Sequence, residues 1–233
     1  MASAPRRRWS KDLPPDLSEL MNTLINYAHS FIRKFDYKEP AMRRIVRELQ
    51  TISDEVREEV QNRGPSDFTR GVRQTFGFLA APLELVEKGV QHVTNAVIES
   101  GAAHQVETLG KEFMEIVEPM KIDLKQIQTT CEKLEQESSK VKATYTLEEM
   151  EEFEGILRRV SALGKQSEGV LGVLVTVLGW LGDLVMLVVN VVKATVSREA
   201  EEKLRASIME SAERCQKVVR ELETMKKELT EFI

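Results

Sequence analysis

Apolar residues return every three or four positions along most of this chain, a spacing that predicts helices. After Pro14 and Pro15, one such stripe runs through Leu17, Leu20, Leu24, Ala28, Phe31 and Phe35. A second follows Pro40 through Met42, Ile45, Leu49, Ile52, Val56 and Val60 and stops at Gly64 and Pro65, so 16–63 reads as an antiparallel helical pair. Val72, Phe76, Leu79, Leu83, Val86, Val90, Val93 and Val97 alternate steps of four and three, as expected of an amphipathic helix that either packs on its neighbours or lies in an interface, with Pro82 bending it. Ser100 and Gly101 read as a break. Beyond them Val106, Leu109, Phe113, Ile116, Met120, Leu124, Ile127, Cys131 and Leu134 predict a long helix with a kink or a boundary at Pro119, which together with the preceding pattern makes up 66–137.

The polar run Glu135 to Thr144 reads as a connection, and Thr146 with Glu149 forms a capping box for a helix carrying Leu147, Met150, Phe153, Leu157 and Val160. Gly164 and Gly169 mark a joint before the apolar stretch 169–192. Ser197 is placed to cap a terminal helix bearing Leu204, Ile208, Cys215, Val218, Leu222, Met225, Leu229 and Phe232, so 146–233 forms the last region. The expected fold is all-α: a bundle of long amphipathic helices around one strongly apolar helix, ending in a coiled-coil-like helix.

The stretch GVLGVLVTVLGWLGDLVMLVVNVV holds one formal charge, Asp183. As a helix it spans roughly 36 Å, enough to cross a hydrocarbon core of about 30 Å. Fifteen of its residues are Leu or Val. Each favours insertion by about 0.3–0.6 kcal/mol, against about 2.5–3.5 kcal/mol for a central Asp. Val170, Leu171, Leu174, Leu178, Trp180, Leu181, Leu184, Leu187 and Val188 are the expected lipid contacts. Gly172, Thr176, Gly179, Asp183 and Asn190 fall on one narrow helical face, small enough for another helix to approach and polar enough to shelter the acid. Acid, by neutralising Asp183, would ease insertion. Burial at the centre of a soluble bundle is the competing reading, and the two are compatible if the bundle stores the helix and releases it.

Composition narrows the function classes. The net charge is −5 with 30% charged residues, which leaves no global basic field for nucleic acid. The N-terminus MASAPRRRWSKDLPPD lacks an apolar h-region, so 1–15 reads as a flexible basic tail and the expected setting is intracellular and membrane-associated, ahead of an extracellular lipoprotein-associated one. Cys131 and Cys215 lie on apolar stripes as core residues and suit a reducing compartment. No phosphate-binding or dinucleotide glycine motif occurs, and His29, His92 and His104 have no second ligand at metal-binding spacing. Carboxylates such as Glu148, Glu149, Glu151 and Glu152 form solvated helix faces. No catalytic, cofactor or metal site is expected, and an enzyme is not.

Two segments carry a family resemblance. VTNAVIESGAAHQVETLGKEFMEIVEPMKIDLKQI, residues 93–127, resembles the segment after the membrane region in the apolipoprotein L family. The run from Gly169 through RCQKVVRELETMKKELTEFI resembles that family's late apolar segment and zipper-like terminal helix. The resemblance implies an all-α protein that binds lipid and takes part in lipid transport or intracellular membrane dynamics. Where the family has a Gly/Ala-rich hairpin, residues 76–98 carry Glu84, Glu87, Lys88, Gln91 and His92, so lipid association rather than channel formation carries over. Membrane lipids are therefore the expected partners, with homo- or hetero-oligomers through 197–233 as a further expectation. The alternative is a soluble helical-bundle or single-pass coiled-coil interaction protein without lipid function.

Overall fold

A computed structural model describes residues 15–61, 90–141, 147–193 and 198–233. The expected N-terminal tail, Val72–Leu83 and Val86 of the 72–97 stripe, and the caps Thr146 and Ser197 lie outside the described residues, as do the side chains of Val90, Val93 and Val97. Among the described residues four helices follow in order: α1 Pro15–Gln61, α2 Val90–Val141, α3 Leu147–Lys193 and α4 Arg198–Phe232. There is no strand among the described residues, so the all-α expectation holds.

The helices are longer than the punctuation in the sequence predicts. Pro40, expected to separate a helical pair, lies inside α1, and Pro119 lies inside α2. A mid-helix proline costs about 3 kcal/mol through its missing N–H and its ring. Both prolines are exposed, and the buried stripe runs through each site without losing register: Phe31, Phe35, Met42 and Ile45 on α1, Ile116, Met120 and Leu124 on α2. Each fully buried side chain of this size contributes about 1.5–3 kcal/mol, so continued packing outweighs the local defect. The backbone of α2 likewise passes through Ser100 and Gly101 and on through the run from Glu135 to Val141, and α3 passes through Gly164 and Gly169. The expected breaks and joint are therefore interior positions of continuous helices.

The chain divides into two compact units. The first takes its described residues from Met1–Met42, Glu115–Val177 and Lys217–Ile233. Within it each helix touches the next. On α1 the rings of Phe31 and Phe35 stack with centroids 6.5 Å apart. Lys34 Nζ reaches both carboxylate oxygens of Asp123 on α2, at 2.9 and 2.8 Å, and donates to the Pro119 carbonyl at 3.3 Å. A Cβ added to Gly164 on α3 would stand 3.1 Å from the Cβ of Cys131 on α2, so an alanine there would need the helices to give by a few tenths of an ångström, and glycine eases their close approach. Arg159 on α3 donates to the Glu231 carbonyl at 2.8 Å and covers the Phe232 ring, closing the end of α4. Lys226 on α4 pairs with Asp36 on α1 at 2.5 Å and lies over Phe35, and Asp36 holds the lysine's pKa above its ordinary value.

The second unit comprises the described residues of Arg43–Met114 and Leu178–Gln216. Ile45, Leu49, Val106, Phe113, Leu181, Ile208 and Cys215 are among its buried side chains. Arg44 on α1 bridges Glu112 on α2 and Glu48 on its own helix, and these carboxylates raise its pKa. The apolar stripe of α4, for which the sequence left open an internal or external partner, is buried inside the chain from Ile208 to Phe232.

Asp123 tests this account of the first unit. Its side chain is 5% exposed and Lys34's is 38% exposed, so Lys34→Met strands a carboxylate away from water. Loss of about 1–3 kcal/mol is expected, less than for a fully buried pair because solvent reaches the lysine. Chemical denaturation of Lys34→Met, Asp123→Leu and the double variant checks it, the double variant recovering most of the loss.

Candidate membrane-contact helix

The segment Glu154–Leu184 of α3 is long and apolar enough to cross a membrane, with a mean hydropathy of 1.4 and a third of its most apolar window buried in the fold. Periodicity sorts its side chains. In the first unit Val170, Leu174 and Val177 are buried, as are Leu181 and Leu184 in the second, each three or four residues from the last. Leu171, Val173, Leu178, Trp180 and Gly182 are half-buried. Gly169, Gly172, Val175, Thr176, Gly179 and Asp183 are exposed, Val175 to 60%.

This arrangement exchanges the roles expected of the two faces. Val170, Leu174, Leu181 and Leu184, read as lipid contacts, face the protein's own core. Gly172, Thr176, Gly179 and Asp183, read as a helix-packing face, point to solvent, and a Cβ added to Gly172 or Gly179 would meet nothing within 4 Å. The cause is the medium. In water a helix gains most by hiding its largest apolar side chains, whereas close approach along glycines is the preferred packing in lipid, where burying leucine gains little. Leu171, Leu178 and Trp180 remain partly accessible, while the side chains of Leu187, Val188 and Asn190 lie outside the described residues.

The outward face makes few demands on its surroundings. Thr176 donates its hydroxyl to the Gly172 carbonyl at 2.9 Å, so its polar group is satisfied within the helix. Asp183 is exposed. Trp180 is held against α4 by the Arg214 guanidinium, 4.4 Å from the ring centroid, which Glu210 anchors through Nε at 3.1 Å.

Val177 belongs to the buried stripe although it was absent from the expected contacts. Its i+3 relation to Leu174 was the available signal. Lys34 with Asp123 and Arg159 with the end of α4 had no local signal, since these partners are far apart in sequence. Among the described residues no group of three or more His, Cys, Asp or Glu could hold a metal ion. A groove between α2 and α3 is lined by Glu135, Ser138, Ser139, Glu154, Leu157, Arg158 and Ser161. That lining is polar or charged apart from Leu157. Compared with known proteins, the chain matches no protein family, no curated protein and no solved structure.

Proposed function

We propose that this chain is a lipid-binding, membrane-associating helical protein, with α3 as the element that meets the bilayer. The observation that carries the reading is the outward face of α3, where Gly172, Val175, Thr176 and Gly179 present no charge to solvent within a segment long enough to span a membrane. The fold stores one side of α3 in its core and leaves the other available for a first contact. Release of the stored side would then complete insertion, in the way two packings of one chain exchange when they differ by a few kcal/mol. The resemblance of 93–127 and of the late apolar segment to the apolipoprotein L family points the same way, towards lipid transport or intracellular membrane dynamics.

A soluble interaction protein is the second reading, favoured by the burial of the α4 stripe from Ile208 to Phe232 within the chain. Flotation of the purified protein with phosphatidylcholine vesicles at neutral and mildly acidic pH separates the two. The membrane reading expects co-flotation that is lost when residues 169–192 are deleted. Absence of wild-type flotation at both pH values overturns it and leaves the interaction protein.

A further inference from the structure

One stretch of α3 fits a recognition chemistry that the membrane reading leaves unused. Leu157, Arg158, Arg159, Val160 and Ser161 place two arginines three and two residues before a serine, with Ala162 and Leu163 after it. Kinases that select basic substrates hold such a guanidinium pair on carboxylates of their peptide groove. Ser161 is half-buried and lines the groove between α2 and α3 in the first unit. Its hydroxyl makes no hydrogen bond among the described residues, whereas Ser138 and Ser139 on the α2 side both donate to the Glu135 carbonyl. Arg158 is exposed and equally without a partner among them. Access is gated by the fold. A kinase reads an extended segment, and here the motif is helical: Val160 and Leu163 are buried, and Arg159 is committed to the Glu231 carbonyl and the Phe232 ring. The acceptor is therefore presented by molecules in which this part of α3 has opened. Gly155 and Gly164 bracket the motif and favour such opening, since each disfavours helix relative to alanine. A Cβ at Gly155 would meet nothing within 4 Å, so no packing demands a glycine there.

We infer that Ser161 is a phosphoacceptor for a serine kinase that selects paired arginines, and that its phosphate weakens the hold of α2 on α3. In the transfer Ser161 Oγ attacks the γ-phosphorus of ATP, its proton passes to the kinase's catalytic carboxylate, and the bond to the departing ADP oxygen breaks. The phosphate brings a charge of about −1.5 to −2 at neutral pH. Arg158, Lys165 and Glu154 lie on its own helix and attend it whether α3 is packed or opened. Only packing adds the Glu135 carboxylate of α2, and the α2 hydroxyls beside that carboxylate are already committed. Of the lysines flanking Glu135 on α2, Lys133 stands two residues away and so off its face, and Lys140 pairs with Glu137. The difference between the two states is thus repulsive, and phosphorylation favours the opened one. The site stands apart from lipid binding and bears on it only as a control over the release of α3.

Full-length protein incubated with ATP and the catalytic subunit of cyclic-AMP-dependent kinase, with modified peptides located by mass spectrometry, tests the site. Wild type is expected to take phosphate on Ser161. Leu124→Ala, which truncates a fully buried side chain of α2, should take it faster because more molecules are open. Arg158→Gln, at an exposed position, should slow it on the order of tenfold with circular dichroism unchanged. Arg7, Arg8 and Ser10 repeat the spacing, so phosphate on Ser10 alone, in wild type and in Leu124→Ala, overturns the assignment. In a Ser10→Ala background the urea midpoint is expected to fall on phosphorylation, and to fall less when Glu135→Gln is also present. An unchanged or higher midpoint overturns the weakening, and an equal fall with Glu135→Gln overturns its cause. Phosphorylation of a chain that fails to float with vesicles supports the site and rejects only the membrane reading.

Discussion

Leu174→Lys is expected to lower the unfolding free energy by about 4 kcal/mol or more, while the same replacement one residue on, Val175→Lys, changes it by less than about 0.5 kcal/mol. Leu174 is fully buried and Val175 is 60% exposed. A lysine at the first position removes a core leucine, worth about 2–5 kcal/mol, and drives an ammonium into a position closed to water. At the second it only adds a solvated charge. Vesicle binding should reverse the order of interest. Lysine in place of valine near the middle of a membrane segment opposes insertion by about 3–4 kcal/mol, so Val175→Lys should reduce partition on the order of a hundredfold with the fold intact. Urea denaturation of both variants and flotation of Val175→Lys supply the measurements. Wild-type flotation by Val175→Lys would remove the outward face of α3 from the membrane contact.

Alkaline conditions are expected to destabilise the protein through its two cysteines. Burial pushes the Cys131 thiol up to about 12, helped by the charges of Glu135 and Glu132, and burial alone pushes Cys215 up to about 12. In the unfolded chain a thiol ionises near about 8.5. The folded pKa is raised, so the stabilisation is present in full below the unfolded value and is lost as pH climbs from there towards the folded one. Over that window each thiol contributes a slope of about 1.4 kcal/mol per pH unit. Lysines and tyrosines also titrate there, so the decisive comparison is between variants: Cys131→Ala and Cys215→Ala should each flatten the alkaline fall of stability relative to wild type. The same burial slows native thiol labelling near neutral pH by on the order of a thousandfold relative to the denatured chain. Rapid labelling without denaturant would contradict the buried positions.

The stripes of α2 and α4 were legible because large apolar residues kept helical spacing through many turns. Every residue expected along α2 from Val106 to Leu134 is buried, as are those along α4 from Ile208 to Phe232. Helix ends at Pro40 and at Ser100 and Gly101 were misread for a physical reason. Stop signals weigh a local cost, whereas α1 and α2 set that cost against packing on both sides of each proline. In α1, Leu20 was expected on the stripe, but the adjacent Met21 is buried and Leu20 only partly so. The period was readable and the facing was not.

The candidate site repeats that lesson more sharply. Gly172, Thr176, Gly179 and Asp183 do share a face of α3, as their spacing required, yet which face turns inward depends on whether the surroundings are water or hydrocarbon, and residue order carries no record of the solvent. Partners supplied by distant segments, such as Asp123 for Lys34 and the Glu231 carbonyl for Arg159, exist only once the helices are brought side by side.

The inward bond of Thr176 has a consequence for how α3 changes company. A hydroxyl already answered by the Gly172 carbonyl loses nothing when the water beside it is stripped away, and the glycines and valine around it bring no side-chain hydrogen-bonding group of their own. From Gly169 to Gly182 the outward strip can therefore trade aqueous for oily neighbours without leaving a side-chain bond unmet. Under the proposed function, sensitivity to the exchange would gather at its far end, in the carboxylate of Asp183, which would then set how deep the strip can sink.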